Sequence, residues 1–408
     1  MKIRSITCFF DPRSANAYAR LDNLAKLAEE GQTLFNNSGI DVQTTRLSSV
    51  PFPMLYPTEE ISSAVRLAQT LESDAKQRGF AYLSLGPALP AHLSSFDLIV
   101  PILEATQSVF LSGMIATPRE GLSLPAARKC AQIIEAAARI RPDGFTNLNF
   151  GVGANVSPHA PFFPLSYHAG ERPVFALAVE CADLAVEAFR KSTSLAEGRH
   201  KLVAALEDAA TVISSHGAYL SQKYGVDYRG IDFSLAPYPQ DWCSLGGALE
   251  ALGLHALGML GSAAAAAYLA DTLDRGRWLR TGFNGLMLPV LEDSMLARRA
   301  AEGSLTVKDL LLFATMCGAG VDTVPLPGDA TAEQIYPLLL DVAAIALRLN
   351  KPLISRLMPV PGKQAGDPVE FDFEYFAKSR VLALPAAALS GGLAGEETLS
   401  IQPRSGNA

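Results

Sequence analysis

The sequence predicts an α/β fold built on one large, parallel-rich sheet. Roughly ten strand candidates alternate with helical patterns, and many of them are short all-apolar runs, the mark of strands buried on both faces. No period of 20–50 residues repeats, which disfavours solenoids and propellers. The 408 residues are 49% hydrophobic and 18% charged, enough for a core that needs neither metal nor disulfide. We read residues 1–390 as one domain and 391–408, rich in Gly, Ser, Glu and Pro, as a flexible tail.

Ile3–Phe10 is β-branched or aromatic and alternating. Ala15–Asn37 carries Leu21, Leu24, Leu27 and Leu34 at helical spacing, and Asp41–Leu47 completes a β-α-β unit. A helix over Ile61–Arg78 precedes a strand over Phe80–Leu85, and Phe96–Val100 reads as a helix end. Ser123–Ile140 is an alanine-rich helix leading into the strand Asn147–Val152. The stretch Ser157–Gly170 is too aromatic for a solvated linker, and loops of this length are commonly functional. After the strand Val174–Val179 come helices over Ala182–Lys191 and Arg199–Lys223, then a strand over Asp232–Leu235. Leu245–Leu252 and Gly261–Asp274 are helical, Gly285–Pro289 is a short apolar strand, and Val290–Arg299 and Val307–Met316 are helical again. Asp322 falls at a strand position. Thr331, with Glu333 and Gln334 in the first turn, caps a helix to Leu349, and Lys351–Pro359 is a strand.

The net charge is −7 and no Lys/Arg cluster is long enough to neutralise a run of phosphates, so nucleic acid is a poor partner. The apolar start ends at Asp11-Pro12-Arg13, too short for a signal or a membrane span; a cytoplasmic protein, able to form homo-oligomers, is the expectation. Five single cysteines without a Cys-x-x-Cys pair read as reduced thiols. Neither Gly-x-Gly-x-x-Gly after a strand nor a phosphate-binding Gly-x-x-x-x-Gly-Lys is present, so no nucleotide cofactor is expected.

Three stretches concentrate groups able to do chemistry. Met316–Asp329 holds a thiol, two carboxylates, three glycines and two prolines in fourteen residues, as the rim of a site would. In it Cys317 is either a nucleophile or an inert buried thiol, and Asp322 a candidate catalytic acid. In Gly230–Pro239, Asp232 and Ser234 lie two apart and face the same way on a strand. They would contact metal or substrate, or Asp232 would only accept backbone amides. Glu292-Asp293 follows a short apolar strand: the two acids are ligands for a hard cation such as Mg²⁺, or acids favoured by a helix N-terminus. In the loop after Asn155, His168 is the histidine best placed to carry a proton, with no fixed metal spacing to His159.

The motifs Gly230-Ile-Asp-Phe-Ser-Leu-Ala-Pro-Tyr-Pro239, Asn284-Gly-Leu-Met-Leu-Pro-Val-Leu-Glu-Asp293 and Cys317-Gly-Ala-Gly-Val-Asp-Thr-Val-Pro-Leu-Pro-Gly-Asp329 resemble those of a bacterial and archaeal family, domain of unknown function 711. Pro161-Phe162 with His168, and Arg356 with Pro359, extend the match. The resemblance implies an α/β barrel similar to pyruvate formate-lyase, ten strands in two parallel five-stranded halves. The radical glycine of those relatives sits in Arg-Val-x-Gly-Tyr, and the tail glycines here lie in Ser390-Gly-Gly-Leu-Ala-Gly395, so no glycyl radical is expected. Ser157-Pro158-His159, Gly258-Met-Leu-Gly261 and the stretch near Glu180-Cys181-Ala182 depart from the family pattern, as a branch with a changed substrate would.

The expected function is an enzyme acting on a small polar metabolite in the barrel mouth, as a lyase, hydrolase or isomerase. Asp232, Glu292 and Asp293 would hold a divalent cation, His168, Cys317 and Asp322 would do the chemistry, and Asn155, Ser234 and Arg356 would hold substrate, Arg356 through a two-pronged carboxylate contact. The competing expectations are a non-catalytic ligand-binding or regulatory protein on the same scaffold, and a Cys317 nucleophile enzyme.

Overall fold

The computed structural model describes residues 1–56, 60–316 and 319–404. Its strands are β1 (Lys2–Phe10), β2 (Thr45–Ser49), β3 (Tyr82–Ala88), β4 (Val109–Thr117), β5 (Gly121–Ser123), β6 (Phe150–Ala154), β7 (Val174–Glu180), β8 (Asp227–Ala236), β9 (Gly320–Pro327), β10 (Leu353–Val360), β11 (Pro368–Val369), β12 (Ser379–Arg380) and β13 (Thr398–Leu399). The helices are α1 (Ala17–Asn37), α2 (Phe52–Leu55), α3 (Ile61–Gln77), α4 (Ile99–Ala105), α5 (Leu124–Ala137), α6 (Ala182–Arg190), α7 (Leu195–Tyr224), α8 (Leu245–Glu250), α9 (Ser262–Asp274), α10 (Ser294–Glu302), α11 (Val307–Met316) and α12 (Ala332–Arg348).

The fold is α/β with a mixed sheet in the order β8-β7-β1-β2-β3-β4-β6-β10-β9, to which β5 and β13 add beside β4. Strands β1, β2, β3, β4 and β6 run parallel. The pairs β7/β8 and β9/β10 are each parallel, and both joins to the first group, β1/β7 and β6/β10, are antiparallel. The segment 280–290 reaches both outer strands: Arg280 bridges Ile231 on β8, and Pro289 bridges Asp322 on β9. Met287 N–H donates to the Ser234 carbonyl and Val290 N–H to the Asp322 carbonyl, each at 3.0 Å.

Helices cover the sheet with the stripes that their sequences carry. On α1, Leu21, Leu24, Leu27, Ala28, Gly31 and Phe35 are buried, about one turn apart. Gly31 is close enough to Ile6 and Leu220 that a Cβ there would stand 3.0 Å from Ile6. On α12, Thr331 and Gln334 form the reciprocal cap, with Gln334 Oε1 accepting the Thr331 N–H at 3.1 Å.

The other side of the sheet is filled by the loop between β6 and β7. Phe162, Phe163 and Leu165 are buried. A second apolar cluster forms around the loop from Met114 on β4, Ala236 on β8 and Ile354 on β10. Strand β6 makes way for it with glycine: a Cβ on Gly151 would stand 2.6 Å from Pro164 Cγ, and one on Gly153 2.5 Å from Leu165 Cδ1. This is the packed, non-linker role that the aromatic content of Ser157–Gly170 predicts.

Several boundaries differ from the sequence expectation. β4 was not anticipated, because Ser112-Gly113 interrupts the apolar run of Val109–Thr117, which follows a run read as a helix end. The second strand lies at Thr45–Ser49 rather than Asp41–Leu47, and Gly285–Pro289 makes bridges rather than a regular strand. The helix expected from Val290 starts at Ser294, because Asp293 is its N-cap. The tail expected to fray is hydrogen-bonded to the body: β13 pairs β5, Tyr336 Oη donates to the Leu393 carbonyl, and Arg404 N–H reaches the Arg348 carbonyl. Extended backbone with few apolar side chains is held there by main-chain bonds, which composition does not report.

Candidate functional site

Arg356, the fourth residue of β10, is buried at the centre of an ion-pair network. Its Nε donates to Asp322 Oδ1 at 2.6 Å and its Nη2 to Asp322 Oδ2 at 3.0 Å, a two-pronged contact, while Nη2 also reaches Glu292 Oε1 at 2.7 Å. The other oxygen of Glu292 accepts from Arg4 on β1. Burial pushes Glu292 up, but Arg4 and Arg356 together outweigh it and hold the carboxyl below its usual range. Asp322 is raised by burial, with Glu292 adding to the effect against Arg356. Residues from β1, β9 and β10 and Glu292, just after segment 280–290, are thereby tied together.

Beside the network lies a cavity offering about 70 Å³ to the centres of water-sized molecules, room for several heavy atoms. It sits where β1, β2, β3, β4 and β6 begin and where β7 and β8 end. Arg4, Arg46, Glu180, Glu292 and Arg356 supply its charge. Tyr82, Phe110 and Phe163 make one wall, and Phe373 and Tyr375 from the chain after β11 make part of another.

Among the described residues, Arg46 on β2 is the cation there without an acid. Its Nε donates to Thr44 Oγ1 at 2.8 Å, and its guanidinium carbon stands 5.3 Å from the Phe163 ring centre and 5.7 Å from that of Tyr82. Among the described residues no carboxylate pairs with it. Burial, with Arg4 as like-charged neighbour, lowers it to about 9. Glu180, the last residue of β7, is the converse: a buried carboxyl at the cavity wall with no hydrogen bond or ion pair among the described residues. Burial raises its pKa against the pull of Arg4 and Lys2.

A smaller chamber of about 20 Å³ lies on the other side of Arg4 and Arg46, bounded by Asp232, Ser234 and Phe162. Asp232 accepts from Ser234 Oγ, from Phe283 N–H at 2.9 Å and from Asn284 N–H at 3.0 Å. Burial nevertheless raises its pKa. Asp232 thus accepts two backbone amides and one hydroxyl at the edge of a chamber.

The structure brings Glu292, Asp322 and Arg356 together and places Asp232 and Ser234 one chamber away. Asp293 points elsewhere: it caps α10 through Met295 and Leu296 N–H at 2.9 and 3.1 Å, and accepts from Ser244 Oγ at 2.6 Å. Among the described residues no group of three or more His, Cys, Asp and Glu side chains is placed to hold a metal ion. Asn155 donates to Asn350 Oδ1 at 3.4 Å, away from both cavities. His168 lines neither cavity. It is buried with Nδ1 3.3 Å from His159 Nε2 and with Nε2 unpartnered among the described residues, and burial, with His159 next, lowers it to about 4. Cys317 lies outside the described residues. Arg4, Arg46 and Glu180 were missed as site residues; the signal was a charged residue within each of three buried strands, Arg4 in Lys2–Phe10, Arg46 in Thr45–Ser49 and Glu180 closing Val174–Glu180.

The architecture is thus that of an α/β protein with a buried arginine–carboxylate cluster on its sheet. The chain belongs to the family described as Uncharacterised ACR (DUF711), whose model matches residues 1–377. It is 34% identical over 361 residues to a UPF0210 protein of Pyrobaculum aerophilum, covering 84% of this chain and 79% of the relative. A UPF0210 protein of Lactobacillus delbrueckii subsp. bulgaricus is 28% identical, with 86% and 81% covered. One from Actinobacillus succinogenes is 29% identical, with 90% and 84% covered. Among the described residues no helix is long and apolar enough to cross a membrane.

Proposed function

We propose that the chain is an enzyme that binds a small polar metabolite in the cavity beside Arg4 and Arg46 and converts it by acid–base chemistry, with Glu180 moving the proton. The observation that carries this reading is the unpaired, buried Glu180 carboxyl facing a cavity bordered by guanidiniums. A raised carboxyl pKa brings a proton carrier closer to neutral pH, where transfer in either direction is effective. Arg356, Asp322, Glu292 and Arg4 form the fixed electrostatic frame around it, and preorganised charge of this kind stabilises charge developing on a substrate.

The reading includes a closed ten-stranded barrel, with segment 280–290 as the tenth strand between β8 and β9. Its support is that the same segment bridges both outer strands and that Asp232 fastens it to β8. In such a barrel the cavity lies at the carboxyl ends of the second parallel half, where α/β sites gather.

A thermal-shift screen of the purified chain against small metabolites and divalent cations tests the proposal. A metabolite that stabilises the chain, still binds Glu180→Gln and is turned over only by the unsubstituted protein is the expected result. A ligand bound equally by both and turned over by neither would favour the non-catalytic binding reading. A shift with Mg²⁺ that is lost in Glu292→Gln would replace the proposal with cation-assisted chemistry at the carboxylates.

A further inference from the structure

Resting on that cavity as the ligand site, its walls narrow the class of ligand. Three guanidiniums border the cavity, of Arg4, Arg46 and Arg356. Arg356 is bound by Asp322 and Glu292, and Arg4 by Glu292, so two of the three already face carboxylates. Arg46 keeps both terminal nitrogens without a partner among the described residues, while Thr44 holds its Nε. A guanidinium fixed at one corner, with its two terminal nitrogens open, matches the planar fork of a carboxylate.

What surrounds that fork is aromatic. Tyr82 and Phe110 meet edge to face at 5.2 Å, Phe110 and Phe163 at 5.4 Å, and Arg46 stands over the Tyr82 and Phe163 rings. Phe373 and Tyr375, 5.1 Å apart, bring two further rings to the cavity, and both are only half-buried. Ring faces around an open cavity favour a flat apolar body, which they contact at low entropy cost. A phosphate, heavily hydrated and demanding several donors, would leave these walls unused.

We infer that the cavity takes a small monocarboxylate with a planar or aromatic body, its carboxylate held by Arg46 and its ring between the Tyr82–Phe110–Phe163 wall and the Phe373–Tyr375 segment. The ligand enters past the segment carrying Phe373 and Tyr375. Specificity divides between one charge-assisted fork and stacking.

Calorimetric titration with simple probes tests both halves. Benzoate is expected to bind the full chain. Acetate, with the charge and no ring, and benzamide, with the ring and no charge, should each bind on the order of tenfold more weakly or worse. Arg46→Met should abolish the preference for benzoate over benzamide, and Phe373→Ala should weaken benzoate while leaving acetate unchanged. Arg46→Lys, which keeps a buried cation, should retain part of the benzoate affinity and guards against a folding defect in the methionine variant. If acetate or inorganic phosphate binds as tightly as benzoate, or if benzoate binds Arg46→Met undiminished, the inference is overturned. Absence of benzoate binding to the unsubstituted chain overturns it too. Benzoate binding by a chain that turns over nothing would leave this inference standing and remove the enzymatic reading.

Discussion

Arg356 shows how far a single residue's role follows from its neighbours. The sequence suggested a substrate clamp, and its two-pronged geometry is real, but the carboxylate in the fork is Asp322 of the same chain. Removing a buried cation strands its partners, so Arg356→Met should cost about 3–5 kcal/mol, read as a lower midpoint in urea unfolding. His168 makes the opposite kind of prediction. Its folded pKa of about 4 lies below the usual value of 6.5, so between those values the unfolded chain binds the proton and the folded one does not. Stability should therefore be full above pH 6.5 and fall as pH drops towards 4, by about 3 kcal/mol for this group. His168→Asn should flatten that slope in urea titrations at stepped pH, leaving the smaller contribution of His159, which burial, with Arg229 next, also lowers.

At the scale of elements, what the sequence showed and hid separates by the kind of force involved. Helices with regular stripes, such as α1, α3 and α11, were legible because burial of one face repeats every turn. The reciprocal cap of α12 was legible because Thr331 and Gln334 carry it in their side chains. β4 was hidden, because Ser112 and Gly113 interrupt its apolar run and leave neither a continuous apolar stretch nor an alternation to read. Segment 280–290 was half-legible: its motif was evident, but its bridges to both outer strands depend on partners about fifty residues before and thirty after. Asp232 holds that segment to β8. Asp232→Ala leaves the Phe283 and Asn284 amides without an acceptor and should cost about 1–3 kcal/mol. Hydrogen exchange should accelerate first at those two amides; unchanged protection there would mean that the segment is held by other contacts.

For the whole molecule, the site is a product of topology. Glu292, Asp322 and Arg356 stand in recognisable motifs, so three of the four residues of the ion-pair network were visible in the sequence. Arg4, Arg46 and Glu180 come from strands in the first half of the chain, and only the sheet order places β1 between β2 and β7 and so brings the three to one cavity. Asp293, adjacent to Glu292 in sequence, faces α8 and α10 instead, because neighbouring residues leave a strand end in different directions. A motif names candidates; the fold decides which of them meet.

The most direct test of the central claim is mass spectrometry of a metabolite extract incubated with the purified chain, with Glu180→Gln, and with Lys191→Ala, whose side chain is exposed and paired with Glu187 and so serves as control. The account predicts that at least one small metabolite is consumed by the unsubstituted chain and by Lys191→Ala, and survives with Glu180→Gln. Equal consumption by Glu180→Gln, or no consumption by any of the three, would contradict it.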